Sequence, residues 1–211
     1  MSKKLLHLVR HGEVDNPDGV LYGRLPGFRL SERGEQMAES AAAVLQASGR
    51  PVSRVIASPL ERAQQSAAPI AEAFGRDIEI EDRIIEPTNS FEGTVAKRSF
   101  RNPLNWHRFY NPLKPSWGEP YVSIAQRVRH AMDEAWERTP EGDIVMVSHQ
   151  AVIWAAHRDV NGEPLFHNPS KRRCELSSIT TFEKVGGVWR EVDYRTPAAH
   201  LLGGSIDVGA V

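Results

Sequence analysis

The sequence predicts a single α/β domain: a three-layer sandwich with a mainly parallel central sheet, helices on both faces and a cap inserted at about 86–120. Three observations point there. Short runs at 5–9, 52–57 and 143–148 read as strands, the first buried on both faces and the last built on the apolar Ile144-Val145-Met146-Val147. Segments with a helical apolar period lie between such runs, the alternation expected of parallel strands joined by crossover helices. The 211 residues, 40% apolar and 25% charged, are enough for one sizeable core.

Each element has a local reason. Leu5 to Val9 is the first strand, and a loop rich in Gly, Pro, Asn and Asp follows from Gly12 to Leu30. Ser31 is an N-cap for a helix whose Ala38, Ala41, Ala42 and Leu45 share a face, and Gly49 ends it. Val52 to Ala57 is the second strand. Ser58-Pro59 reads as the N-cap and first position of a second helix, running to about Phe74 and closed by Gly75. Ile78-Glu79-Ile80 is a short third strand. From Glu86 to Pro120 the pattern breaks: five prolines stand among Phe100, Trp106, Phe109, Tyr110 and Trp117. A long irregular insertion is functional or disordered, and its aromatics argue for a partly helical cap. Tyr121 to about Arg138 is a third helix, Asp143 to Ser148 a fourth strand ending at His149, and Ala151 to Asp159 a further helix. Ser178–Glu183 and Val188–Tyr194 flank Gly186-Gly187 as a hairpin. The domain is expected to span 1–200, with a flexible tail over 201–211.

Composition excludes several classes. A net charge of -1 argues against a whole-surface nucleic-acid or membrane binder. One cysteine, Cys174, rules out an intrachain disulfide and fits a reducing compartment. No Cys/His spacing of zinc type is present, so neither a metal nor a cofactor is expected. Met1 to Leu5 resembles a signal-peptide start only superficially, since the apolar run stops at Arg10, and a cytoplasmic protein is expected. Lys171-Arg172-Arg173 reads as a solvated turn.

The chemistry gathers at one edge of the predicted sheet. Arg10-His11-Gly12-Glu13 follows the first strand, Ser58-Pro59-Leu60-Glu61-Arg62 the second, Glu86 the third and His149 the fourth. In parallel sheets the carboxyl ends of the strands form one ligand-binding face. A transferring phosphoryl group spreads charge over its equatorial oxygens, and two arginine forks suit that charge. Ser58 and the start of the second helix add further donors. A histidine neutral at one ring nitrogen can serve as nucleophile, its tautomer fixed by a carbonyl at the other. The leaving alkoxide needs a proton from an acid with a raised pKa, for which Glu86 is the candidate, with Glu81, Asp82 and Glu92 competing nearby.

These residues resemble the histidine phosphatase superfamily, whose founding members are the cofactor-dependent phosphoglycerate mutases. The resemblance is carried by Leu8-Val9-Arg10-His11-Gly12-Glu13, Leu30-Ser31-Glu32-Arg33-Gly34, Ser58-Pro59-Leu60-Glu61-Arg62-Ala63-Gln64-Gln65, Glu86 with Phe91-Glu92-Gly93, and Val147-Ser148-His149. It implies a phosphohistidine on His11, with Arg10, Arg62 and His149 binding the phosphoryl group. Glu86 would be proton donor and then base for water. Asn16 and Ser58 match family positions near the phosphate. His149-Gln150-Ala151-Val152 is similar to the bisphosphatase half of the fructose-2,6-bisphosphate enzymes. The acid-phosphatase branch, with an aspartate directly after the second histidine, does not fit.

The expected function is therefore a phosphatase of small phosphorylated metabolites, monomeric or homodimeric. The alternatives are a phosphoglycerate mutase, a protein phosphatase and a non-catalytic phospho-ligand binder. In the insertion, Lys97, Arg98, Arg101, Arg108 and Lys114 interleave with rings, which suits nucleic acid or a positive rim for phosphorylated substrates. The neighbouring catalytic set favours the rim.

Overall fold

A computed structural model describes residues 4–95 and 118–203. Its sheet has six strands: β1 (Leu6–Arg10), β2 (Val52–Ala57), β3 (Ile78–Ile80), β4 (Asp143–Ser148), β5 (Ile179–Val185) and β6 (Val188–Arg195), in the order β3-β2-β4-β1-β5-β6. β3, β2, β4 and β1 pair in parallel, while β5 runs antiparallel to β1 and β6 antiparallel to β5. Four α-helices stand among the described residues: α1 (Glu32–Ala47), α2 (Glu61–Phe74), α3 (Tyr121–Glu137) and α4 (Gln150–Val160).

The period of two along each strand builds the layers. Leu6, Leu8, Ile56, Ile144 and Met146 point to one face, where they pack with Ile124, Val128 and Met132 of α3 and Val152 and Ile153 of α4. Val9, Val55, Ala57, Val145 and Val147 point to the other, against Ala41 and Leu45 of α1 and Ala67 and Ile70 of α2. The small residues of α1 and α2 let those helices lie close to the sheet and to each other. Both faces are thus covered, as the apolar runs predicted.

Local signals end the elements as expected in most places. The Ser31 hydroxyl accepts from the Gly34 N–H at 3.0 Å and caps α1. Gly75 closes α2 with φ +60, in the left-handed region that glycine enters without strain. The β5–β6 turn places both Gly186 and Gly187 at positive φ, as a two-residue hairpin of primed type requires. One start is misplaced: α2 begins at Glu61 with Leu60 as its N-cap, so Ser58 is not a helix cap and Pro59 not a first helical residue. The Ser58 hydroxyl is instead taken by His149.

Most of the expected cap, 96–117 with its basic and aromatic residues, lies outside the described residues, as does the tail from 204. Leu201 and Leu202 pack against Met37, Leu176 and Ala198. No helix among the described residues is long and apolar enough to cross a membrane.

The end of the sheet opposite the predicted site is pinned by a buried charge. Asp143 accepts from the Leu5 N–H at 2.8 Å and from the Arg50 fork at 2.5 and 2.8 Å, with His7 Nε2 3.5 Å away. Burial alone would push its carboxyl pKa up, but the hydrogen bonds of Arg50, His7 and Leu5 outweigh it and bring the pKa down to about 2. A depressed carboxyl pKa stabilises the fold above the unfolded value and loses that stabilisation as pH falls through the folded one. Asp143→Asn is accordingly expected to lower unfolding free energy by about 2–3 kcal/mol at pH 7. In urea melts the wild-type and variant midpoints should converge as pH drops from about 4 toward 2; a gap independent of pH would overturn the electrostatic account.

Candidate active site

Four parallel strands end at one edge, and each delivers one group there. β1 ends in Arg10 and hands over to His11, whose N–H donates to the Ser148 carbonyl at the end of β4. β2 gives way to Ser58, whose N–H donates to Val147 O. β4 is followed by His149. β3 leads through a short 3-10 turn, Asp82–Ile84, to Glu86. The Ser148 hydroxyl donates to Ile84 O at 2.7 Å, and Arg24 Nε donates to the Glu86 carbonyl at 2.5 Å, so the acidic residue is fixed from both sides.

The turn after β1 admits only glycine. A Cβ on Gly12 would stand 2.3 Å from the Gly34 carbonyl oxygen, so the loop lies directly on the first turn of α1. Gly12 N–H donates to Ser66 Oγ at 3.1 Å, and that hydroxyl donates to the Arg62 carbonyl at 2.8 Å, which links the His11 loop to α2. Ser177 holds the other side: at φ +53 it turns its N–H onto the His11 carbonyl at 3.3 Å.

His11 is 3% exposed, and its Nδ1 lies 2.8 Å from the Gly12 carbonyl. A carbonyl can only accept, so Nδ1 carries the proton and Nε2 presents a lone pair. Burial, then Arg62 and Arg10, hold the His11 pKa well below the ordinary histidine value, against the pull of the Gly12 carbonyl. The imidazole is therefore neutral. The His149 ring stands 5.2 Å from it, centroid to centroid, at 60°. His149 Nε2 bonds Ser58 Oγ at 2.7 Å and its Nδ1 lies 3.5 Å from Glu86 Oε2. Burial, Arg62 and His11 keep its pKa low as well.

Glu86 is buried, and burial raises its carboxyl pKa although Arg62, Arg172, Arg10 and Arg127 all oppose the rise. It is thus suited to carry a proton. Its competitors are spent elsewhere: Glu81 pairs with Arg83, and Glu92 accepts from the Arg24 and Asn89 N–H groups. Arg62 is 1% exposed, donates to Gly23 O at 2.7 Å and lies 4.7 Å from the Tyr22 ring. Arg10 donates to Cys174 O at 2.7 Å. Within this set, Arg62 Nε, Glu86 Oε1 and His149 Nδ1 are buried and have no hydrogen-bond partner among the described residues.

The remaining predicted residues sort as follows. Ser58 belongs to the site through His149. Asn16 is buried, but its carboxamide is bonded both ways to Val20, at 2.9 and 3.0 Å, which closes the loop. It lines an open groove with the acidic Glu13, Asp15 and Glu35, a poor environment for phosphate. Glu13 is a loop residue held by Ser31 at 2.7 Å. Arg172 corrects the reading of residues 171–173 as a solvated turn: it is 9% exposed and interacts electrostatically with Glu86. Ser66, Ser148 and Ser177 also escaped the sequence, because each acts through a partner distant along the chain. Among the described residues, no three His, Cys, Asp or Glu groups come together to hold a metal ion.

Comparison with known proteins gives the same picture. The family model of the histidine phosphatase superfamily (branch 1) matches residues 6–196. An uncharacterized protein of Mycobacterium tuberculosis is 46% identical over 92% of this chain and 96% of its own length. A 2,3-bisphosphoglycerate-dependent phosphoglycerate mutase of Thermoplasma acidophilum is 38% identical over 72% of this chain and 74% of its own. Phosphoserine phosphatase 1 of Hydrogenobacter thermophilus is 34% identical over the same shares, 72% and 74%. Among solved structures, a mycobacterial glucosyl-3-phosphoglycerate phosphatase superposes with a TM-score of 0.74 at 23% identity, covering 90% of this chain and 97% of that one.

Proposed function

The chain belongs to the histidine phosphatase superfamily, and from that premise we propose that it hydrolyses small phosphate monoesters through a phosphohistidine on His11. The observation that carries this reading is the neutral, Nδ1-protonated His11 imidazole, under the charge of two buried arginines and next to His149, which in turn meets a buried Glu86 carboxyl of raised pKa.

The steps follow from the donors. His11 Nε2 attacks phosphorus as the ester P–O bond breaks, and the Glu86 carboxyl gives its proton to the leaving alkoxide. Arg10 and Arg62 hold the equatorial oxygens, and His149 contacts the remaining one. Arg62 Nε and His149 Nδ1 would find their missing partners on the phosphoryl group or on the attacking and leaving oxygens. In the second step the Glu86 carboxylate takes a proton from water, the water oxygen bonds phosphorus, and the N–P bond breaks. Inorganic phosphate leaves and the His11 lone pair is restored. Ser58 fixes the His149 ring, and the Gly12 carbonyl fixes that of His11.

Relatives of both chemistries, mutase and phosphatase, resemble this chain to similar degrees. A mutase must keep water from its phosphoenzyme while the intermediate reorients. The deciding experiment measures phosphate release from a panel of phosphate monoesters beside interconversion of phosphoglycerates primed with bisphosphoglycerate. Release is expected to exceed interconversion for the best ester. Interconversion well above release would make the protein a mutase, and binding without any phosphorylation of His11 would make it a phospho-ligand binder.

A further inference from the structure

We propose that Ser66 is a positioning residue for the nucleophile: it ties the peptide between His11 and Gly12 to the backbone of Arg62, keeps the Gly12 carbonyl on His11 Nδ1, and so keeps the lone pair on Nε2. The proposal rests on the reading of His11 as the nucleophile and names what holds it ready.

The need arises at Gly12. Its carbonyl, 2.8 Å from His11 Nδ1, fixes the tautomer, yet it belongs to the residue type whose backbone is least restricted. A side chain cannot restrict it, because a Cβ there would meet the Gly34 carbonyl oxygen. The direction of the carbonyl is therefore set by hydrogen bonds to the chain around it. His11 N–H donates to Ser148 O at 3.1 Å, Ser177 N–H to His11 O at 3.3 Å, and Gly12 N–H to Ser66 Oγ at 3.1 Å. The last two hold the His11–Gly12 peptide by its carbonyl and by its N–H. Of these three partners, Ser66 is the one that acts through its side chain.

Ser66 is 1% exposed and lies one turn after Arg62 on α2. Its hydroxyl donates to Arg62 O, four residues back, at 2.8 Å. A carbonyl only accepts, so the hydroxyl proton is committed there and the oxygen lone pairs are left for the Gly12 N–H. A chain of bonds thus runs from the Arg62 backbone through Ser66 to the peptide of His11, and sets nucleophile and arginine in one frame. Arg62 is the arginine to which that register matters most. After burial, its charge is the strongest influence on the pKa of His11, of His149 and of Glu86 alike. A loop that slid against α2 would carry His11 away from the guanidinium expected to hold the phosphoryl oxygens.

Removing the hydroxyl leaves the Gly12 N–H buried without its acceptor, a costly state that the peptide relieves by rotating. The Gly12 carbonyl then moves off Nδ1. Which ring nitrogen carries the proton depends on the bond the other makes, so the proton is released to sit on Nε2, where it blocks attack on phosphorus. Binding of the phosphoryl group loses little, because Arg10, Arg62 and His149 keep their side chains. The effect of Ser66 therefore falls on the chemical step.

The test compares wild type with Ser66→Ala and Ser66→Thr, reading the ring nitrogens of ¹⁵N-labelled histidine by NMR beside the kinetics of the best phosphate ester. The signals missing from His11→Asn assign His11 among the eight histidines. Wild type should show Nδ1 protonated and Nε2 bare, and Ser66→Ala the proton shared between them. In Ser66→Ala kcat should fall by about 10–100-fold, while KM and inorganic phosphate affinity change by about threefold or less. Ser66→Thr keeps the hydroxyl and should restore the tautomer and most of kcat. Ser66→Cys fills the same space with a weak acceptor, so it should shift the tautomer in the same direction and carries the comparison if the alanine variant does not fold. A wild-type tautomer in the alanine variant, or in the cysteine variant where alanine does not fold, overturns the proposal. So does a loss confined to KM, or one that threonine does not repair. The tautomer is read without turnover. A wild type that never forms phosphohistidine would therefore overturn the phosphatase reading alone, with the role of Ser66 decided by the ring signals.

Discussion

His11→Asn is expected to reduce phosphate release by about 10⁴-fold or more, the scale of loss when a nucleophile is removed from a pre-organised site. Asparagine is the informative replacement. Its side-chain amide can still donate to the Gly12 carbonyl that now accepts from His11 Nδ1, so the loop keeps its bond while the nucleophile disappears. The same substitution should abolish the phosphoenzyme. Wild type quenched during turnover of a ³²P-labelled ester should carry label that is stable in alkali and lost in acid, as a phosphoramidate is, and the variant should carry none. Affinity for inorganic phosphate should change far less than turnover, because Arg10, Arg62 and His149 remain. Label persisting in the variant would move the nucleophile elsewhere, with His149 the only other imidazole in the set.

The strands and the carboxyl-edge placement of His11, Ser58, Glu86 and His149 were legible because period and order are local properties. Strand runs such as Ile144 to Val147 announce burial on both faces, and parallel pairing then puts all four strand ends on one edge. The Ser31 cap was legible for the same reason, since its partner is three residues on. Ser58 was misread because Ser-Pro matches a cap locally, whereas the winning partner, His149, lies 91 residues away. Arg172 was hidden by its neighbours: Lys171-Arg172-Arg173 reads as a charged run, and only the turn after α4 drives the middle residue inward. Burial of an arginine depends on what surrounds it in three dimensions, and no sequence period encodes that.

Glu86 illustrates the middle case. Glu81, Asp82, Glu86 and Glu92 are four carboxylates that local pattern does not rank, and the family resemblance is what singles out Glu86. The structure separates them by environment: Asp82 is exposed, Glu81 meets an arginine fork, Glu92 backbone donors, and Glu86 a buried face with one oxygen unsatisfied. An exposed ion-paired carboxylate is held charged and can give no proton near neutrality; a desolvated one keeps its proton to higher pH. The acid is thus identified by where the chain buries it.

Glu86→Gln carries the second large expected effect, and its signature is a dependence on the leaving group. For alkyl phosphates, whose alkoxide needs a proton, kcat/KM should fall by about 10²–10⁴-fold. For 4-nitrophenyl phosphate the phenolate leaves unaided, so the first step should be nearly preserved. The second step still lacks its base, so nitrophenolate should appear as a burst stoichiometric with enzyme, followed by slow turnover. In wild type, kcat/KM for alkyl esters should be lost on the alkaline side as pH rises through the raised Glu86 pKa, and on the acid side only where the depressed His11 pKa is reached. Glutamine should remove the alkaline limb and leave the acid one. The same burial opposes folding once the carboxylate ionises, because the folded pKa lies above the unfolded one and stability is lost as pH rises between them. The variant should therefore melt higher than wild type at pH 7, the gap closing below about pH 4. An equal loss on both esters, with no burst and no change in the alkaline limb, would mean that Glu86 positions His149 rather than moving a proton.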